Sequence, residues 1–250
     1  MSSLVASAPG IYVREALAEI GKSARMPQFV IPTIALPPAF YALFALGMGG
    51  GSAEMATRLL ATYGVFAVMG PALFGFGASV AAERESGELE LKRLSPMPAG
   101  AHVVAKLVAT IVFSVLAFGV IYVLAASAGV RLSQEQWALL AGVHVTSVIP
   151  FALIGLSIGY RLGQKAAIAV ANVAFLGMAV LGGLWMPITL LPSFIQSAAW
   201  ALPSYHLGAL ALMVVGEGNM ANAWLHAGPL ALITIAAGLL AWTGQERHAA

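Results

Sequence analysis

Six stretches of this chain contain no Asp, Glu, Lys or Arg: residues 26–53, 59–82, 107–130, 136–160, 166–216 and 218–245. A helix crosses a bilayer core with about 20 apolar residues, and an ionised side chain is costly at that depth. Irregular loops and open sheet edges cannot satisfy their backbone groups in lipid. Runs of this length and spacing therefore restrict the chain to an all-α, polytopic membrane protein. Only 9% of the residues are charged and 60% are hydrophobic, against about 25% charged in an ordinary soluble domain. At about 20 residues per span plus connections, 250 residues make one transmembrane domain over 1–250, with no separate soluble domain.

Five of the runs hold one helix each. The run 166–216 is too long for one span, and two spans would change the side on which the next loop emerges. Inside it, Gly182-Gly183-Leu184-Trp185-Met186-Pro187 breaks a helix, Pro192 starts a second short piece, and Pro203 breaks again before an apolar run to Val215. The pattern predicts one span, then re-entrant helical pieces between spans five and six, at about 188–204. Six spans follow, at about 27–47, 59–82, 107–129, 136–160, 166–186 and 223–243. With six spans, Arg14, Lys22, Arg25, Arg84, Lys92, Arg93, Lys106, Arg161, Lys165 and Arg247 fall on one side, and Arg58 and Arg131 on the other. The Lys and Arg bias puts the first side, and both termini, in the cytoplasm. The expected location is the cell (inner) membrane. Before the first span, Val13, Leu17, Ile20 and Ala24 recur at helical spacing opposite Arg14, Glu15, Ala18 and Lys22. That predicts an amphipathic interfacial helix over about 9–25, its basic end beside the first span. No cleavable leader is expected, because Arg14, Glu15, Glu19, Lys22 and Arg25 precede the first long apolar run. Ser133-Gln134-Glu135-Gln136 has the spacing of a capping box and opens the fourth span.

Several chemistries are excluded at once. The chain has no Cys, and all ten acidic residues are Glu, which removes disulfides, thiolate chemistry and any Asp-held magnesium. Ala16–Ser23 reads A-L-A-E-I-G-K-S, close to a phosphate loop. It lacks the first Gly and the strand-to-helix context, so it is no nucleotide site. Gly155-Leu156-Ser157-Ile158-Gly159 matches G-x-S-x-G, but a nucleophile elbow needs a strand-to-helix turn. Here Gly155, Gly159 and Gly163 recur every four residues, which predicts a small-residue stripe for close helix packing. The histidines show no H-E-x-x-H spacing and support no metal site.

The richest polar segment is 83–98, E-R-E-S-G-E-L-E-L-K-R-L-S-P-M-P, in the loop after the second span. Leu91 and Leu94 lie three apart, Glu88 and Lys92 four apart, and Pro96 and Pro98 end the element. This predicts a short cytoplasmic helix that presents charge and leucine; spacing alone leaves open a solvated loop that merely stops the spans.

Glu83-Arg84-Glu85-Ser86-Gly87-Glu88-Leu89-Glu90 followed by Leu94-Ser95-Pro96 resembles the E-R-E-x-G-T-L-E...L-x-x-S-P signature of the ABC-2 type transporter permeases, with Glu88 at the usual Thr. Gly182 to Pro187, Leu191-Pro192 and Leu202-Pro203-Ser204-Tyr205-His206 resemble that family's C-terminal region. The resemblance implies a non-enzymatic permease of an exporter, without cofactor or metal in this chain. It would pair with a second copy and with ATP-binding cassette subunits that hold the ATP and magnesium, in a lipid bilayer and with no nucleic acid. Glu83, Arg84, Glu85, Gly87, Leu89, Glu90 and Leu91 would then form a coupling helix docked on the ATPase. Of these, Glu83, Glu90 and Leu91 are expected not to support the membrane core. Trp185, Met186, Pro187, Pro192, Pro203 and Tyr205 would belong to the outer end of the pathway, with Trp185, Trp200 and Tyr205 suited to the membrane interface.

Spans without charge suit a hydrophobic or amphipathic cargo, drug-like or lipid-linked; a polysaccharide or glycolipid moved along aromatics is the alternative. An intramembrane protease would need polar catalytic groups facing one another in the bilayer, and a secondary transporter an intramembrane charge or inverted repeats. Neither pattern is visible in the sequence.

Overall fold

The computed structural model describes residues 8–26, 30–48, 52–95, 97–98 and 100–246. Residues 27–29, Pro96 and Arg247, which figure in the expected first span, coupling segment and cytoplasmic charge, lie outside them. The described residues form an all-helical protein.

Helix α1 runs over Ala8–Ala24. The next apolar stretch, Ile31–Gly47, is shorter than the other candidate spans. Pro32, Pro37 and Pro38 withhold three N–H donors from it, and it winds as π-helix over Ile31–Ala35, as α2 over Leu36–Tyr41, and as π-helix again over Ala42–Met48. Among the described residues, five helices are long and apolar enough to cross a membrane, where the sequence predicts six spans. The proline-rich first stretch is what separates the two counts.

The second apolar run is one continuous rod. It comprises α3 (Ala53–Leu73), a π-turn at Phe74–Ala78 just after Pro71, and α4 (Ser79–Glu85). Ser86 and Gly87 then turn the chain into the short α5 (Glu88–Leu94). Gly87 has φ +75°, a conformation that strains any residue with a Cβ. Helix α6 covers Ala101–Ser127. The capping box at Ser133 forms: its hydroxyl accepts from Gln136 N at 3.1 Å, and Gln136 Oε1 accepts from Ser133 N at 3.0 Å. It opens α7 (Gln134–Thr146). Pro150 cannot donate to Thr146, and the rod breaks at Ser147 before α8 (Val148–Gly159).

In the long run, α9 spans Gln164–Leu181 and ends in a Schellman turn, with Gly183 at φ +73° and Leu184 N bonded to Ala179 O at 3.0 Å. Short pieces follow: a 3₁₀ turn at Ile188–Leu190, α10 (Ser193–Ala199) behind Pro192, and α11 (Pro203–Val214) with Pro203 in its first turn. A last helix, α12, runs over Trp224–Glu246.

The core is built around α3. Every residue from Ala61 to Leu73 is buried, packed by α2, α6, α8 and α11. Phe66 stands at its centre, stacked on Phe175 with ring centroids 4.8 Å apart and met edge-on by Trp185 at 5.5 Å. Such aromatic pairs add about 0.5–1.5 kcal/mol each beyond area burial. Helix α12 packs on α8 and α11 and leaves most of its apolar surface outward.

Candidate functional site: the polar end and the opposite cavity

The three residues Glu83-Arg84-Glu85 end α4 and point three ways. Glu83 is buried at 1% exposure and accepts from Lys106 Nζ and from Lys22 Nζ, each at 2.8 Å, while His102 Nε2 lies 3.2 Å from its second oxygen. Lys106 is also buried and donates to Glu19 at 2.6 Å and to the Ser79 hydroxyl at 2.7 Å. Arg84 reaches sideways, its two terminal nitrogens donating to Tyr160 O at 2.6 Å and Leu162 O at 2.7 Å. A guanidinium there satisfies carbonyls left open at the end of α8 and opposes the negative end of its dipole. Glu85 is exposed.

The expectation that Glu83 does not support the core is therefore corrected, since its side chain is buried among cations. Helix periodicity turns residue 83 toward the start of α6, where a lysine and a histidine already face inward. A buried carboxylate is tolerable only beside such partners.

The ionic network continues into α5. Glu88 accepts from Lys22 at 3.0 Å and from Lys92 at 3.2 Å, and Lys92 also pairs with Glu15 at 3.0 Å. For Lys22, burial alone would lower the pKa, but hydrogen bonding to and the charge of Glu83, then Glu88 and Glu19, outweigh it and raise the group above its ordinary value. Burial would likewise raise Glu88, yet Lys22 and Lys92 hold it below the usual carboxylate range against the repulsion of Glu83. The inward face of α1 is Ala16, Glu19 and Ser23, flanked by the half-buried Glu15 and Lys22, while Val13 and Leu17, and Arg14 and Ala18 of the expected polar face, stand outside. On α5, Leu89 and Gly87 are half-buried and Glu90 is exposed. Leu91 and Leu94 are 70% and 79% exposed.

The glycine stripe is only partly one surface. A Cβ on Gly155 would lie 3.0 Å from the carbonyls of Ala72 and Leu73, and one on Gly159 would lie 2.7 Å from Gly77 O and 2.8 Å from Phe76 O. At both, α8 meets the π-turn backbone to backbone. Gly163 does not extend that stripe, because α8 ends at Gly159 and Gly163 caps α9 beside Glu85. Ser157 donates to Ile154 O in its own helix at 2.8 Å. His144 is engaged by Tyr122 at 3.1 Å and by Ala61 O at 3.0 Å, away from Ser157. The phosphate-loop look-alike lies inside α1, with its Lys22 in the ionic network.

At the other end of the rods, residues 183–187 wall a cavity of about 340 Å³ with Phe44, Met55, Arg58, Leu59 and Thr62. Trp185 is half-buried in that wall, and its indole N–H is buried without an acceptor. Pro187 is half-buried and Met186 exposed. A second cavity of about 170 Å³ lies on the far side of Arg58 and includes Tyr205, Glu217 and His226. The two share Arg58, Thr62 and Gly183, and Arg58 is ion-paired with Glu217 of the smaller one. Pro192 is exposed and Pro203 buried. Trp200 stacks on His226, and the Nδ1 atoms of His206 and His226 meet at 3.1 Å. Sequence reasoning missed both the histidine pair and the Arg58–Glu217 pair, since residues 20 and 159 positions apart share no local pattern. Among the described residues, no three His or Glu side chains cluster as a metal site.

Comparison with known proteins agrees with this architecture. A protein of Bacillus subtilis (strain 168) named "Putative transport permease YvfS" is 29% identical over 211 residues, covering 82% of this chain and 86% of that protein. The family profile described as ABC-2 family transporter protein matches residues 14–243, from α1 through α12. Permeases of this family are multi-pass transport subunits without a catalytic domain or cofactor of their own, and they typically pair with an ATP-binding subunit. With the match running through all five long apolar helices, the chain belongs to the ABC-2 family of transporter membrane proteins.

Proposed function

We propose that this permease exports a hydrophobic or amphipathic cargo, drug-like or lipid-linked, with α5 docked on a separate ATP-binding subunit and a second copy completing the pathway. In this reading Ile31–Gly47 is the first of six spans, and the Lys- and Arg-rich end with both termini is cytoplasmic. The pieces at 188–204 re-enter from outside.

The observation that carries the proposal is the two-sidedness of α5. Its inner side, Glu88 and Lys92, is ionically tied to α1; its outer side offers Leu91 and Leu94 to solvent. Two exposed leucines on a seven-residue helix cost solubility unless a partner covers them. Movement imposed on α5 passes to α1 and α6 through Lys22, Glu83 and Lys106, and shifts the permease only by contacts that differ between its two states. Glu83 and Arg84 then transmit from inside, while Leu89, Glu90 and Leu91 face the partner and Gly87 sets the angle between α4 and α5.

The test is co-purification of the permease with its ATP-binding subunit. A leucine buried at an interface contributes about 1.5–3 kcal/mol, so Leu91→Asp or Leu94→Asp should weaken assembly by about one to two decades. Permease abundance in the membrane should not change. Wild-type assembly and export by both variants would show α5 to be a solvated loop.

A further inference from the structure

The larger cavity has a one-sided chemistry. Phe44, Leu59, Leu184 and Trp185 make its wall apolar, and among the described residues its only ionisable lining group is the Arg58 guanidinium, with the Thr62 hydroxyl one helical turn further along α3. Glu217 lines the smaller cavity but not the larger one, and reaches Arg58 from behind through one terminal nitrogen. Among the described residues, the other guanidinium N–H groups make no hydrogen bond, and neither does the buried indole N–H of Trp185. A guanidinium carries five donors in a planar fork, of which Glu217 takes one. The cavity therefore sets the Arg58 guanidinium and the Thr62 hydroxyl into an aromatic and aliphatic wall. Its volume is at the lower end of the range for small-molecule sites, which are likewise mostly apolar with a few orienting polar groups.

We propose that this cavity binds an amphipathic anion, a carboxylate, sulfonate or phosphate on an apolar body, with Arg58 holding the anionic group and Glu217 acting as a built-in competitor for it. The body lies against Phe44, Leu59 and Leu184, with Trp185 as the flanking aromatic. Glu217 neutralises the arginine when the cavity is empty, so the partly buried cation stays paired. An entering anion takes over the fork and frees Glu217 toward Tyr205 and His226. A neutral cargo has nothing to displace Glu217 with and is bound by the apolar wall alone. The proposal deepens the export reading by naming a cargo class. It rests on that reading only for the cavity's place in transport, and binding itself needs no ATP-binding subunit.

Trp185 supplies the probe. The full chain is placed in phosphatidylcholine nanodiscs and titrated with 9,10-dibromostearate or its uncharged methyl ester, both of which quench indole fluorescence on contact. The difference between wild type and Trp185→Phe isolates quenching at the cavity. The anion should give a saturable component on the order of tenfold tighter than the ester, the ratio one charge-assisted hydrogen bond supports. Arg58→Gln should erase that preference, and Glu217→Gln should strengthen anion binding severalfold by removing the competitor. Thermal unfolding of each variant verifies folding; if Arg58→Gln does not fold, Glu217→Gln decides, since unchanged or weaker anion binding there overturns the proposal. Equal quenching by anion and ester in the wild type also overturns it. Neither result touches the docking of α5, which the leucine variants test without involving the cavity.

Discussion

Lys106→Met is the sharpest probe of the ionic network. The substitution keeps the length and much of the volume of the side chain while deleting its charge. Lys106 is 2% exposed and holds two carboxylates, Glu19 and Glu83, that are 5% and 1% exposed. Without it, Glu19 loses its only hydrogen-bonded cation among the described residues. Glu83 is left with Lys22, which is 36% exposed and shared with Glu88, and with the His102 ring. Breaking a buried pair by removing one partner costs about 3–5 kcal/mol, whereas replacing the whole pair by uncharged groups is often neutral. The expected loss is thus about two to three and a half decades in the folding equilibrium, at 1.4 kcal/mol per decade. The Glu83→Gln, Lys106→Met double variant should recover most of it, because Glu19 then keeps the nearby positive charge of Lys22. Unfolding of the purified permease in a mild detergent, followed by size-exclusion chromatography, measures both. If Lys106→Met unfolds like the wild type, or the double variant is no better than the single one, the cluster is solvated and does not hold α1, α4 and α6 together.

Gly159→Val should destabilise by at least about 1–3 kcal/mol, the usual cost of overpacking, because the new Cβ would press on the carbonyls of Gly77 and Phe76; Gly21→Ala, whose Cβ meets nothing within 4 Å, is the matched control in the same thermal-unfolding assay. The cytoplasmic placement of α5 predicts that Ser95→Cys, introduced into a chain with no native cysteine, reacts with a membrane-impermeant maleimide only after cells are opened. Labelling in intact cells would invert the proposed orientation.

Much of the local structure is legible in the residues themselves. Glycine and proline act through their own φ and their own missing Cβ or N–H, so the breaks at Gly182-Gly183, Pro192 and Pro203 need no tertiary information. The Ser133 cap closes between residues three apart, and charge-free length alone makes a helix a membrane candidate. Hydropathy nevertheless does not rank the helices by position, since α6 is more apolar than the rod that contains α3 and yet less buried. Lipid and protein interior are equally apolar, so a leucine facing either one reads the same. For charges the same gap is wider. The motif E-R-E marks a polar end, but only the arrival of α6 and α8 decides that Glu83 turns inward to Lys106, that Arg84 closes the end of α8, and that Glu85 stays in water. The amphipathic pattern of α1 sets which residues share a face, and only its packing along α6 decides that Ala16, Glu19 and Ser23 are the inner ones. Helix formation is settled within a few residues along the chain, whereas the compensation of a buried charge depends on which partner the fold carries to it, and Arg58 finds Glu217 from 159 positions away.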